Sequence, residues 1–277
     1  MRKFFLCLIT TIILCNTALA NEVLVANETE ATVPVIMYHL VTTKQKYIGK
    51  YGITPAELKS DLEYLKNNNF NTIVFKDLIN FVEKGISLPK NPIILTFDDG
   101  NFGDYEFLLP LLKEYNQKAI VAVIGSAADK YTKMEEENSK GRYPNLNWPQ
   151  IKELHESGFV EIQNHSYDLH GKLGSGKKQG ESPENYHLRL KNDLLKLQQA
   201  CEIHLNYKPT AYVYPLGVIS DGSREVLIEL GIRGSFSCQE GQNLIKVGDN
   251  SSLFKLQRTN RPSGRGIEEI IKSIVAP

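Results

Sequence analysis

The chain has 277 residues, 42% of them apolar and 23% charged, which suits one folded domain and excludes disorder and coiled coil. Its 32 basic and 32 acidic side chains cancel. That balance removes the electrostatic case for a nucleic-acid partner.

Residues 1–20 read as a signal peptide. Arg2-Lys3 is the charged start, Phe4 to Cys15 the apolar stretch, and Ala18-Leu19-Ala20 a small-x-small cleavage site. The apolar stretch is short of the ~20 residues a membrane span needs, and Leu14 occupies the position where a lipoprotein signal requires a small residue. The mature protein is therefore expected outside the cell, secreted or associated with the cell surface or wall, with no stable membrane span after cleavage. Cys201 and Cys238 remain after cleavage; this even count permits a disulfide, with two separate thiols as the alternative.

Residues 21–32 are polar and aperiodic and read as a flexible leader, ahead of one catalytic domain over 33–277. Val33 to Tyr38 is a first strand, ending at His39. Thr54-Pro55-Ala56-Glu57 is a capping box with proline at the first helical position, opening a helix with Leu58, Leu62 and Leu65 on one face. A strand over 71–75, a helix over 76–84 stopped by Gly85 and a strand over 93–97, apolar but for Thr96, follow. Next come a helix over 105–115 and a strand over 119–124. Residues 126–147 show no period and read as a surface insertion. A helix over 148–157 leads to a strand over 158–163. A glycine- and lysine-rich stretch over 171–184 reads as mobile, and a long amphipathic helix covers 185–203. Later elements are a strand over 211–214, a helix over 223–230, a strand over 232–236 and a short strand over 253–256. Strand and helix alternate throughout, so the fold class is α/β: a single distorted or incomplete (β/α) barrel with about seven parallel strands.

Two strand ends carry the chemistry. Asp98-Asp99-Gly100 follows Ile93-Ile-Leu-Thr-Phe97, and Asn164-His165-Ser-Tyr-Asp168-Leu-His170 follows Gly158-Phe-Val-Glu-Ile-Gln163. The carboxyl ends of parallel strands are where such folds place their sites. Two adjacent carboxylates there repel each other unless a cation or a proton transfer employs them. One acid and two histidines make a three-ligand metal site, which leaves the second acid free to act as a base. Ligating histidines also need a hydrogen-bond acceptor behind the ring, for which Asp168 is the candidate.

The string Thr96-Phe-Asp-Asp-Gly100 and the downstream histidine pair resemble the polysaccharide deacetylases (the NodB-like domain, carbohydrate esterase family four). Val35-Ile-Met-Tyr-His39 and Tyr214-Pro-Leu-Gly217 are similar to members acting on biofilm poly-N-acetylglucosamine. The resemblance runs from about Val33 to about Pro262. It implies Asp98 as general base and Asp99, His165 and His170 as ligands of one divalent metal, zinc first, with nickel, cobalt or iron also suited. The family's usual C-terminal acid histidine is missing, since no histidine follows His204; the subgroup pattern transfers that role to His39. Leu216, with Tyr214 and Pro215 beside it, falls at the position implied for substrate and oxyanion contacts. The histidines stand five apart, which on a straight strand puts them on opposite faces, so the backbone must curl after Asn164.

The implied activity is hydrolysis of N-acetyl groups on N-acetylglucosamine units of a polysaccharide, peptidoglycan or poly-N-acetylglucosamine, by a monomer. An O-acetyl glycan esterase and a catalytically silent glycan-binding module are the alternatives; sequence-adjacent acids do not suit a glycosidase, whose carboxylates flank the scissile bond. Trp148 covers the barrel or stacks on sugar, and His155, His187 and His204 are packing or surface residues.

Overall fold

The structure, a computed structural model, describes residues 28–137 and 144–275. The expected signal peptide and most of the leader lie outside the described residues. The strands are β1 (Glu30–Thr32), β2 (Val35–Tyr38), β3 (Leu40–Val41), β4 (Gly52–Ile53), β5 (Asn71–Thr72), β6 (Pro92–Phe97), β7 (Ala119–Val123), β8 (Val160–Asn164), β9 (Ala211–Val213), β10 (Gly234–Phe236), β11 (Leu244–Lys246) and β12 (Thr259–Asn260). The helices are α1 (Pro55–Asn67), α2 (Phe75–Lys84), α3 (Leu109–Tyr115), α4 (Gly125–Glu136), α5 (Trp148–Glu156), α6 (Pro183–Leu205), α7 (Ser223–Glu229) and α8 (Ile267–Val275). None of the described helices is long and apolar enough to cross a membrane.

Seven strands pair in the order β10-β9-β8-β7-β6-β2-β12, with β5 added beside β6, and all these pairings are parallel. The sheet curls into an incomplete barrel. Its seam is crossed by one segment: the Leu256 amide donates to Ser235 O and the Ser237 amide to Leu256 O, while Thr259 and Asn260 pair with β2.

The two faces of the sheet are sorted by the period-two alternation of strands. Ile36 and Tyr38 of β2, Ile93, Leu95 and Phe97 of β6, and Val121 and Val123 of β7 face outward, onto a core with α1, α3, α5, α6 and α8. Val35, Ile94, Ile120, Ala122 and Val213 face inward, onto Phe75, Leu78, Phe81 and Val82 of α2, which plugs the barrel. The same parity continued past the strand ends turns His39, Asp98 and His165 inward.

Several sequence expectations are corrected. The leader is not wholly flexible, because β1 pairs antiparallel with β11. Residues 126–136 are helical as part of α4, whose buried residues are only Gly125 and Ala128; a face of such small residues leaves no hydrophobic period to read. The start of the expected helix over 105–115 is a π-type turn over Asp104–Leu108. Pro110 has no N–H to close a helical bond there. Phe75 belongs to α2 rather than to a strand. Residues 250–253 form a 3₁₀ turn, and the last strand lies further on, at β12. The glycine-rich stretch is pinned, with Ser175 Oγ donating to Val218 O and the Lys177 amide to Ser220 Oγ. Cys201 and Cys238 are both free thiols.

Glu161, inward on β8, accepts from the Phe75 and Lys76 amides at 3.1 Å each and so caps α2 with a side chain from the sheet. Burial pushes its carboxyl up to about 7 from the ordinary 4.5. A raised folded-state pKa means the native state keeps a proton that the unfolded chain has released. Stability is therefore expected to fall as pH rises from about 4.5 to about 7. Urea titrations across that window check this: Glu161→Gln flattens the slope.

Candidate active site

The strand ends β2, β6, β8, β9 and β12 converge on a cleft of about 660 Å³ whose wall includes His39, Asp98, Asp99, His165, His170 and Leu216. Asp98 continues the inward face of β6 and is buried. Its two oxygens receive Arg258 Nη1 at 2.7 Å and Nη2 at 2.9 Å, a bidentate pair closed off from water. Arg258 is itself held by Ser237 O at 2.7 Å and Thr96 Oγ1 at 3.1 Å. Burial pushes the Asp98 pKa up, but the Arg258 guanidinium, with His165 and His39, outweighs it and holds the carboxyl below the usual range. Asp98 is thus an anion poised as an acceptor.

Asp99 points elsewhere because its backbone turns. It sits at φ 76, in the left-handed region, and its carbonyl accepts from Asn145 Nδ2 at 3.0 Å. Its Oδ1 stands 3.4 Å from His165 Nε2 and 3.1 Å from His170 Nε2. The second histidine reaches this spot through the expected curl: Ser166 has φ 73. The curl is tied down by α6, where Asp193 accepts from the Tyr167 and Asp168 amides at 2.7 and 2.8 Å and Leu194 O accepts from Asn164 Nδ2.

The donor set fits a divalent cation. Asp99, His165 and His170 each offer one atom, all within 4.8 Å of one another. His165 Nδ1 lies 2.8 Å from Val213 O; a carbonyl only accepts, so that nitrogen carries a proton and it is Nε2 that faces the cleft and Asp99. Asp99 Oδ1 is buried without a well-formed hydrogen bond. Burial raises the Asp99 pKa, but the two imidazoles outweigh this and hold it far below the carboxylate range, while the neighbouring Asp99 carboxylate raises that of His170.

His39 Nε2 lies 3.9 Å from Asp98 Oδ2, with its ring 4.8 Å from that of Tyr51. Burial lowers the His39 pKa, against the opposing pull of Asp98 and Asp99. Among the three residues at the predicted substrate position, Leu216 alone lines the cleft, at φ 58. The Gly217 and Val218 amides close that turn onto Tyr214 O and Pro215 O, which leaves the Leu216 N–H as the amide these bonds do not use. Tyr214 and Pro215 are buried, and the Tyr214 hydroxyl pairs with Ser223 Oγ at 2.9 Å, so both are wall rather than contact surface.

Asp168 is not the acceptor behind a ring; it is exposed and takes the Ser126 hydroxyl at 2.9 Å. Trp148 is 2% exposed, stacked on His204 at 4.6 Å, and cannot meet a sugar. Arg258 and Asp193 carry no motif that sequence reading could have singled out.

Residues 85–235 match the polysaccharide deacetylase family profile. The chain belongs to the polysaccharide deacetylase family. It is 28% identical over 203 residues to the poly-β-1,6-N-acetyl-D-glucosamine N-deacetylase of Staphylococcus epidermidis, covering 70% of this chain and 64% of that one. It is 22% identical over 245 residues to the Escherichia coli K12 enzyme of the same name, covering 81% of this chain but 36% of that protein. The chain thus spans under two thirds of the length of these relatives. Among solved structures, a de-N-acetylase from Aggregatibacter actinomycetemcomitans superposes with a TM-score of 0.72 at 25% identity, covering 87% of this chain and 99% of that one. IcaB from Ammonifex degensii gives 0.66 at 22% identity, covering 86% and 94%, a likeness of fold.

The Asp98–Arg258 pair is testable by a double-mutant cycle. Arg258→Met strands a buried carboxylate and is expected to cost about 3–5 kcal/mol of unfolding free energy. Asp98→Asn together with Arg258→Met recovers part of that loss, since no unpaired charge remains; urea unfolding reads both.

Proposed function

We propose that this member of the family is an exported, metal-dependent deacetylase that hydrolyses the acetamide of N-acetylglucosamine units in a polysaccharide. The observation that carries this reading is the pairing of two distinct acids in one cleft: Asp99 grouped with two histidines within 4.8 Å, and Asp98 held apart by Arg258. The substrate named for the relatives favours poly-β-1,6-N-acetylglucosamine over peptidoglycan.

Asp99, His165 and His170 would hold the metal, zinc being the first expectation for a two-nitrogen, one-carboxylate set. When bound, the metal supplies a Lewis acid that polarises the acetyl carbonyl and acidifies water. Asp98 removes a proton from the water whose oxygen bonds to the acetyl carbon. Arg258 keeps that base ionised and fixes its direction. The Leu216 N–H donates to the oxyanion as the carbonyl becomes tetrahedral.

Collapse then breaks the C–N bond and requires a proton on the leaving nitrogen. Burial keeps the His39 ring neutral at rest, so it does not neutralise Asp98. The ring lies 3.9 Å from the Asp98 carboxylate, outside direct hydrogen-bond reach, so the proton collected there passes to His39 through a bridging water or a closer approach in the substrate complex before it is delivered to the amine. Acetate and a glucosamine unit result.

Acetate release from N-acetylated and O-acetylated glycans, with and without chelator, tests this assignment. The account expects chelator-sensitive release from the N-acetylated polymer; release confined to O-acetylated glycans makes the protein an esterase, and none at all makes it a binding module. Asp98→Asn is expected to lower kcat by about 10²–10⁴-fold, the usual effect of removing a general base.

A separate expectation concerns His39. An ester's alkoxide leaves more readily than an amine, so His39→Ala should impair amide hydrolysis strongly and activated acetyl esters much less. Equal, small losses on both substrates mean that His39 only packs.

A further inference from the structure

Tyr38 and Phe97 are the last residues of β2 and β6, immediately ahead of His39 and Asp98. Alternation turns both to the outer side of the barrel, away from the cleft. There the two rings stack, with centroids 4.6 Å apart and planes 9° from parallel. The Asp98 amide donates to Tyr38 O at 3.0 Å. The proposed acid and base are thus coupled through the residues that precede them.

A buried carboxylate pins this stack. Asp61, on α1 and 2% exposed, accepts from the Tyr38 hydroxyl at 3.0 Å and from the Ile267 amide at 3.2 Å. It also receives Arg261 Nε at 2.8 Å and Nη2 at 3.0 Å. Arg261 follows β12 directly and stands three residues past Arg258. An odd spacing on extended chain sends two side chains to opposite faces. One guanidinium accordingly meets Asp98 inside the barrel and the other meets Asp61 outside it. The Arg261 amide donates to Met37 O at 2.9 Å, which ties the same clamp to β2 a second time. A buried ion pair adds little net stability over apolar packing of the same volume. Its directional bonds, however, fix the Tyr38 hydroxyl in one place, and with it the ring and the strand end.

We infer that Asp61 and Tyr38 are positioning residues of the reaction: from outside the cleft, through the Tyr38–Phe97 stack, they set the separation of His39 from Asp98. The tasks of His39 and Asp98 rest on the deacetylase reading above. Neither Tyr38 nor Asp61 lines the cleft. His39 Nε2 stands 3.9 Å from Asp98 Oδ2, a gap that one bridging water or a small approach closes. Proton transfer across it tolerates little drift of either strand end.

Tyr38→Phe removes the hydroxyl and keeps the stacking ring. The metal-loaded variant is expected to retain its metal and to lose about tenfold in kcat on the N-acetylated polymer, with KM unchanged. On activated acetyl esters, which need the acid less, it should stay within about twofold of the wild type. In a His39→Ala background the same substitution should cost nothing further. Asp61→Asn, the harsher change, should move each value in the same direction. A readout independent of turnover is carbethoxylation by diethyl pyrocarbonate, mapped by mass spectrometry. His39 should react several-fold faster in Tyr38→Phe, while His155, His187 and His204, on α5 and α6, keep wild-type rates.

Faster labelling of His39 alone, in a protein whose wild type releases no acetate from the N-acetylated polymer, keeps the positioning role and overturns the deacetylase reading. Acetate release that Tyr38→Phe leaves unchanged, or a loss shared equally by amide and ester, keeps the reaction and overturns the positioning role. No release and unaltered labelling overturn both.

Discussion

Asp98 is a carboxylate with almost no access to water, and it stays ionised because Arg258 meets both of its oxygens. Removing two charges from water is costly, and only a bidentate geometry with the remaining donors satisfied offsets that cost. The geometry is supplied by the seam of the barrel. Arg258 belongs to the segment that bonds to β10 on one side and continues into β12 on the other, and its Nε is fixed by Ser237 O. The segment that supplies the proposed base with its counter-charge is therefore also the one whose backbone joins the two edges of the open sheet.

Around that pair, simple strand geometry does most of the positioning. Alternation turns His39, Asp98 and His165 to the inside of the barrel, and each follows the end of a strand whose outward residues are locked into a helix-covered core. Period two alone cannot bring Asp99 beside Asp98, nor His170 beside His165. Those two residues arrive because the chain enters the left-handed region at Asp99 and Ser166. A non-glycine residue in that region carries strain, on the order of 1–3 kcal/mol each. It is offset here by local bonds: Asn145 onto the Asp99 carbonyl, and Asp193 onto two successive amides of the histidine loop.

Most of the site was legible because its residues are local in sequence. Asp98 and Asp99 follow one strand, and the histidine pair lies within six residues after another, so the strand ends could be read as converging. Arg258 was not legible: it lies 160 residues from its partner, in a stretch with no motif and no hydrophobic period. Asp193 is hidden in the same way, as one polar residue among many on an amphipathic helix. In the fold, elements with strong apolar patterns were found, whereas α4 was missed because its buried side is made of Gly125 and Ala128. The last strand was displaced because Leu253 and Leu256 pack as core, with Leu256 making only an isolated bridge to Phe236, while the two-residue strand forms at Thr259 and Asn260. Trp148 shows the limit of residue type as a signal, since an indole suited to sugar is spent on His204 and Asp129.

The central claim is that Asp98 and Asp99, though adjacent, have separate tasks. Equilibrium metal binding to the purified protein and to two single variants tests it directly. The account predicts about one divalent metal per chain in the wild type, near-complete loss in Asp99→Ala and retention in Asp98→Asn. Metal retained by Asp99→Ala and lost by Asp98→Asn would contradict it.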